Sequence, residues 1–496
     1  MTHRRDAKVR DENRDSCAEA VPLVVDLDGT LLRTDLSLES ALRLIKQKPW
    51  LALMIPLWLF KGRAFLKRRV FESARIDVSL LPLNEALLAW LKEEKARGRR
   101  LILATASDYN QARALAEPLG LFDTVMGSDG QRNLKGQNKL QTIVEECGEP
   151  FDYVGNSRAD LDIWRKCRHA VLANASRRVE DAARHTAQVT QVFPRSAAGA
   201  WNALRTMRGY QWVKNLLVFV PAITSHTIFD EAIAGRAMLA FLSFSFCASA
   251  AYILNDLLDL EEDRRHSTKT HRPLASGRTS IGSAILLAAG CLCASAVIAG
   301  FIPRVFIAAL ATYFIVTCLY SLYLKRLLVV DVLTLATLYT LRIMAGSLAT
   351  GIVLSLWLLA FAFFLFLSLA FAKRAAELVR HLENSCEEVP GRGYRTGDLD
   401  MVSTAGMCSG FLAALILALY TNSDSVQLLY RRPAFLWGLQ PILLYYVTRL
   451  WVVCKRGDLT EDPILYTVRE PSTYGAAILA IFVLLAATFD FRWFGW

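Results

Sequence analysis

The run Asn255-Asp256-Leu257-Leu258-Asp259-Leu260-Glu261-Glu262-Asp263 carries the residue types that hold divalent metal, at a spacing that gathers them. At about 100° of helical turn per residue, Asp256, Asp259 and Asp263 fall within roughly one sixth of a circle, so one continuous helix would place three carboxylates on one face. Mg2+ takes a few carboxylates and fills the rest of its shell with water and phosphate oxygens. Those three acids are therefore the candidate catalytic metal ligands. Lys269, Arg272 and Arg278 follow, cations suited to phosphate charge. The apolar run 237–254 leads straight into the acids, where a membrane helix meets water and carboxylates are costly unless they work. A solvated acidic helix end is the plainer alternative, and the basic tail with its Arg272-Pro273 stop argues against it.

A second constellation lies near the N-terminus. Val21-Pro22-Leu23-Val24-Val25 is an apolar strand that ends in Asp26-Leu27-Asp28-Gly29-Thr30, delivering two carboxylates to a glycine turn. An α/β sheet presents catalytic groups at its carboxyl edge in this way. Leu101-Ile102-Leu103-Ala104-Thr105 reads as another buried strand, and Tyr153-Val154-Gly155-Asn156 as a third, with Asp160 four residues on.

Composition sets the frame. With 53% hydrophobic residues among 496 and a mean hydropathy of +0.29, much of the chain belongs in lipid. The net charge of +11 comes without a finger or an aromatic-spaced basic stretch, so no nucleic-acid partner is expected, and the excess reads as loop charge and phosphate recognition. Ten scattered cysteines offer neither a disulfide ladder nor zinc spacing, and no apolar leader precedes residue 20. Apolar runs at about 212–224, 237–254, 281–301, 305–324, 328–349, 353–372, 402–420, 434–454 and 475–491 predict about nine spans. Lys and Arg crowd alternate loops, which predicts a multi-pass protein of the bacterial inner membrane with its N-terminal domain cytoplasmic. The run 50–60 is too short to span. With basic flanks it reads either as an interfacial anchor or as a cap helix packed on the front sheet.

The polar residues of the membrane part cluster at one face: Lys214 and Asn215, Tyr320 and Lys325, Asp331, Arg342 and Lys373 are candidate substrate contacts, with Asp462 close to the last span. Ionisable groups within spans are functional candidates by default. For Lys214, Lys373 and Asp462, pinning of helix ends at the headgroups is an equal alternative.

Two resemblances sharpen this. The pattern DxDGT at Asp26 to Thr30, with the later motifs in order, resembles the haloacid dehalogenase (HAD) phosphohydrolases. That likeness implies Asp26 as nucleophile, Asp28 as general acid and base, Thr105 and Lys139 as phosphate-binding (Lys135 being the alternative lysine), and a metal site of Asp26, Asp28, Asn156 and Asp160. Asn156 stands where that family has an acid, which leaves a purely structural domain as the alternative. Residues 200–496 resemble the UbiA superfamily of intramembrane prenyltransferases, through NDxxDxxxD, the RPLASG tail (272–277) and YSxYLKR with the later Asp331. QWVKN, KRxxEL and DPILY look more like the branch that moves phosphoribose from phosphoribosyl diphosphate to a polyprenyl phosphate. This implies Mg2+ at Asp256, Asp259 and Asp263, with Asn255, Lys269, Arg272 and Lys325 at the diphosphate. The fusion alone motivates the further expectation that the front phosphohydrolase-like domain removes the product's 5-phosphate. The competing implication keeps the fold and uses a polyprenyl diphosphate donor with an aromatic acceptor; a membrane binding or transport module is the third. The expected architecture is a polar leader (1–20), then an N-terminal α/β HAD-like (Rossmannoid) domain (21–195) with a cap or interfacial helix near 40–75. An all-α polytopic membrane domain of about nine transmembrane helices, UbiA-like, fills 196–496.

Overall fold

The computed structural model describes residues 21–488 apart from 75, 196–199, 267, 384–391, 460–461, 464–465 and 468–469. The expected polar leader and Ser267 lie outside the described residues. Two compact units form: one runs to Met207 and takes in Asp256–Leu287, and the other comprises Arg208–Asn255 with the chain from Ala288 onward. The acidic segment, assigned to the membrane part by its sequence, thus packs within the front unit.

Six parallel strands organise the front unit: β1 (Leu23–Asp26), β2 (Leu101–Asp108), β3 (Thr124–Ser128), β4 (Asp152–Gly155), β5 (Ala170–Ala173) and β6 (Val189–Phe193), in the order β3-β2-β1-β4-β5-β6. Side chains alternate between faces along each strand. Leu23 and Val25 join Leu87, Leu91, Ala112 and Leu115 on one face, whereas Val24 and Ile102 join Ile143, Ile163, Trp164 and Val179 on the other. Each buried Leu, Ile or Val among them contributes about 1.5–3 kcal/mol, and the result is a Rossmann-like sheet covered by helices on both faces. Its consequence is positional, because Asp26 ends β1 beside Ala104 of β2, and Gly155 ends β4. The loops that follow these strands converge.

The 50–60 run splits into Pro49–Ala52 and Ile55–Phe60. Leu51, Ile55 and Trp58 pack on Leu44, Val70 and Ala74, while Trp50, Leu53, Leu57 and Phe60 stay exposed. One side is a cap contact, the other an open apolar face.

In the second unit, and across the links to the first, seven helices among the described residues are long and apolar enough to cross a membrane: Glu231–Leu258, Ile281–Ala299, Arg304–Leu322, Val330–Thr350, Leu356–Glu383, Thr396–Thr421 and Pro471–Thr488. The other two runs expected to span take different forms. Gly209–Phe219 is a 3-10 helix followed by the short Val220–Thr224, and Leu439–Lys455 is a 17-residue helix behind the 3-10 turn Pro433–Gly438. Glycine permits the closest packing: a Cβ on Gly346 would lie 2.1 Å from the Val218 carbonyl oxygen, and one on Gly406 2.2 Å from the Trp451 ring. The eight described cysteines are all free.

Candidate active site

The helix Glu231–Leu258 does not run on through the acids. It stops, Asp259 turns the chain (φ −100, ψ 16), and Leu260–Arg265 restarts. This break corrects the expectation of one three-carboxylate face. Asp256 and Asp263, both buried, converge on one nitrogen of Arg272, at 3.2 and 2.5 Å. Asp259 instead receives Lys46 Nζ at 3.0 Å, from the helix Leu36–Gln47. The two acidic-segment termini are held by the same front helix: Lys46 also reaches Glu262 at 2.5 Å, Arg43 meets Glu261, and Arg264 forks onto Glu39 at 2.6 and 3.1 Å. Burial raises the Asp263 carboxyl above its ordinary value, against the pull of Arg272 and with added push from Asp256. Asn255 precedes Asp256 in the helix, and Lys269 opens a 3-10 turn, Lys269–His271, ahead of Arg272.

These residues fit a divalent cation in part. Two carboxylates already aim at one cationic point, which suits Mg2+ with phosphate oxygens completing its shell. Asp259 is engaged elsewhere, and among the described residues no three His, Cys, Asp or Glu are grouped to hold a metal.

At the sheet edge, Lys139 rather than Lys135 lies against Asp26, 2.5 Å from Oδ1, and also donates to the Tyr153 hydroxyl at 2.8 Å. Thr30 donates to the other Asp26 oxygen at 2.8 Å. Burial pushes the Asp26 carboxyl up to about 6, with Asp160 and Asp28 adding to the rise and Lys139 opposing it. Asp28 accepts from Thr105 Oγ1 at 2.9 Å, Ser107 Oγ at 2.7 Å and the Leu36 amide at 2.9 Å. Asp160 accepts from Tyr153, the Asn156 and Ser157 amides and the Ser157 hydroxyl. Thr105 is thus a support for Asp28. The expected set Asp26, Asp28, Asn156 and Asp160 is brought to one edge, yet Asp28 and Asp160 spend their oxygens on neighbours, so the set does not form an open metal cradle.

The second unit holds two buried polar knots. In the first, Lys214 and Lys373 share one oxygen of Asp462, at 2.9 and 3.2 Å. Burial works against that carboxylate, but Lys373 and Lys214 hold it well below the usual range. Next to them in sequence, Asn215 accepts from Arg342 Nε at 3.0 Å, and Arg342 donates further to the Tyr313 hydroxyl and the Leu338 carbonyl, its guanidinium stacked among Phe244, Tyr313 and Tyr339. In the second knot Asp331, fully buried, takes Arg374 Nε at 2.5 Å and the Tyr394 hydroxyl at 2.6 Å. Arg374 also meets Glu377 and the Tyr320 hydroxyl, to which Arg392 donates at 3.1 Å. Lys325 sits in the turn Leu324–Arg326. Sequence reasoning put Asp331, Arg342 and Tyr320 on substrate; here Asp331 is engaged by Arg374 and Tyr394, Tyr320 by Arg374 and Arg392, and Arg342 by Asn215, Tyr313 and the Leu338 carbonyl, and of these partners it named only Asn215 as a site residue. The i, i+3 spacing of Arg374 and Glu377 was the available signal. Nothing in the sequence pairs Lys46, Arg43 and Glu39 with a segment more than 200 residues away.

The pattern of the UbiA prenyltransferase family matches residues 216–384. The uncharacterized protein y4nM of Sinorhizobium fredii is 34% identical over 469 residues, 94% of this chain and 91% of its own. The chain belongs to the UbiA prenyltransferase family. As a UbiA-family protein it is a transferase and an integral membrane protein, in a family whose members move prenyl groups. Two further relatives are similar. The nodulation protein NoeC of Azorhizobium caulinodans is 32% identical over 289 residues, covering 56% of this chain and 91% of NoeC. Decaprenyl-phosphate phosphoribosyltransferase of Corynebacterium glutamicum is 35% identical over 183 residues, 36% of this chain and 55% of that enzyme.

Proposed function

We propose that the protein transfers phosphoribose from phosphoribosyl diphosphate to a polyprenyl phosphate, at the cytoplasmic face of a bacterial inner membrane, and that the front domain is a HAD-like phosphohydrolase that removes the product's 5-phosphate. The observation that carries the transfer is the convergence of Asp256 and Asp263 on Arg272. The likeness to decaprenyl-phosphate phosphoribosyltransferase supports the choice of donor.

Asp256 and Asp263 would hold Mg2+, with Asp259 joining on release from Lys46; the bound metal supplies charge stabilisation to a leaving diphosphate. Arg272 and Lys269 would take up phosphate charge. The bond from the anomeric carbon to the diphosphate oxygen breaks, and a lipid phosphate oxygen bonds to that carbon, so the sugar changes carriers and free diphosphate leaves. The protein contributes position and electrostatics, with no covalent intermediate on this chain. Within the membrane unit Lys214 and Lys373 share the single charge of Asp462 and so keep a surplus of positive charge suited to a phosphate. In the front domain Asp26 would attack the 5-phosphorus, the ribose oxygen would leave with a proton from Asp28, and water would release phosphate from the acyl phosphate.

The test is a label experiment on purified protein with a polyprenyl phosphate. Label from the ribose of phosphoribosyl diphosphate is expected in the lipid, and Asp26→Asn is expected to leave that lipid carrying its 5-phosphate. Incorporation of label only from a polyprenyl diphosphate into an aromatic acceptor would overturn the reading.

A further inference from the structure

Within the front unit a cleft of about 950 Å3 is walled by Arg33, Arg158, Arg178, Arg195 and Arg278, and among the described residues its lining contains no Asp or Glu. Loops that follow four of the parallel strands meet there: Gly29 after β1, Asn156 after β4, Asn174 after β5 and Arg195 after β6. The fifth side is the tail of the acidic segment, Gly277 and Arg278. Glycine is needed at both close approaches. Gly29 has φ +77 and a Cβ there would sit 2.1 Å from the Asn156 amide nitrogen; Gly277 has φ +68 and its Cβ would sit 2.6 Å from Arg33 Cβ.

Among the described residues none of these five guanidiniums is paired with a carboxylate, although arginines elsewhere in the unit, such as Arg99, Arg168 and Arg264, are. Five like charges facing one concavity repel each other and set up a positive field that favours a multiply charged anion. Arginine's fork matches phosphate oxygens two at a time, so this number of forks exceeds what one phosphate engages. The volume agrees, being roughly thirty times the ~30 Å3 share of one water, and it suits a ligand larger than phosphate. Asn156 belongs to the same logic. Its amide nitrogen reaches the Asp28 carbonyl at 3.3 Å on the cleft wall. A carboxylate at 156 would bring a negative charge to the surface on which phosphates are to sit; the amide brings donors instead.

We propose that this cleft binds a sugar bearing two phosphate groups, one presented to the Asp26–Asp28 edge and the second held by the arginines farther out. That the sugar is a pentose, and that it arrives lipid-linked, rests on the transfer proposed above; the requirement for two phosphates does not.

Full-length protein in detergent, titrated with ribose 1,5-bisphosphate, ribose 5-phosphate and inorganic phosphate, tests this directly. The bisphosphate is expected to bind at least 10-fold tighter than either monophosphate, with an affinity that falls steeply as salt rises. Arg178→Gln and Arg278→Gln are each expected to weaken it about 10-fold, and Arg178→Lys, which keeps charge but loses the fork, by several-fold, at unchanged melting temperature. Equal affinity for one and two phosphates, or Gln variants that bind like the parent, would overturn the proposal, and a Gln variant that fails to fold leaves the Lys variant to decide. A short isoprenyl-phosphoryl-ribose 5-phosphate separates the sources: tighter binding than the free bisphosphate marks a lipid-linked ligand, equal binding a free sugar phosphate, and weaker binding excludes the lipid-linked form. Asp256→Ala, expected to lose transfer, is expected to keep bisphosphate binding, so failure of the transfer reading and failure of this one are distinguishable.

Discussion

Several buried charged groups among the described residues are committed to partners, and a residue's partner decides what its removal costs. Asp331 and Arg374 are both essentially inaccessible and paired at 2.5 Å. Removing one member of such a pair strands the other, at about 3–5 kcal/mol. Arg374→Met is therefore expected to lower the melting temperature in detergent sharply, and adding Asp331→Asn to recover part of the loss; additive losses would count against a shared network. Lys139 holds Asp26 in the same manner. Lys139→Met is expected to abolish phosphate release and to push the Asp26 carboxyl higher still, since Lys139 is the lowering influence on it. Measured phosphate release checks the first outcome, and an infrared or NMR titration of the carboxyl checks the second.

Among elements, the contact to examine is that of the helix Leu36–Gln47 with Leu260–Arg265. Glu39, Arg43 and Lys46 stand three and four apart, hence on one face, and each meets an opposite charge across the contact. Arg264 and Glu39 are 6% exposed each, so this fork is buried and holds position; Lys46 is the member that would compete with a metal for Asp259 on the proposed reading. Lys46→Met is expected to reduce the Mg2+ concentration for half-maximal transfer several-fold, measured by label transfer across a metal titration. Glu39→Gln leaves Arg264 without its charge partner and is expected to destabilise the segment by about 2–4 kcal/mol, a loss for the removal of one partner of a buried pair. The Lys46 outcome follows from the break at Asp259, since on an unbroken helix the third acid would have faced its two companions.

For the whole molecule the covalent link is the relevant fact. One chain carries a transferase of the UbiA family and a parallel-sheet domain; if that domain acts on the product as proposed, the product is generated at a high effective concentration for it. Chelation of divalent metal with EDTA is expected to stop label transfer, and excess Mg2+ to restore it. Asp26→Asn is expected to let the phosphorylated lipid accumulate while transfer continues, which thin-layer separation of the two labelled lipids reads out.

What local chemistry dictates was legible in the sequence. Apolar runs of spanning length, a strand ending in Asp26 and Asp28, and the spacing of Asp256 and Asp263 each follow from periodicity over a few residues, and they fixed the parallel-sheet domain, the helical membrane domain and the acids. The rest was decided by tertiary structure, because it concerns which groups meet. Helical periodicity assumes that the helix continues, and Asp259 ends it. Gly209–Phe219 is apolar enough to suggest a span, yet coils as a 3-10 helix with Asn215 and Lys214 buried on partners far along the chain. The pairing of Lys46 with Asp259, the sealing of Asp331 by Arg374 and Tyr394, and the gathering of five arginines around one cleft join residues tens to hundreds of positions apart. Electrostatic energy depends on distance in space and on burial, and neither can be read from the order of residues.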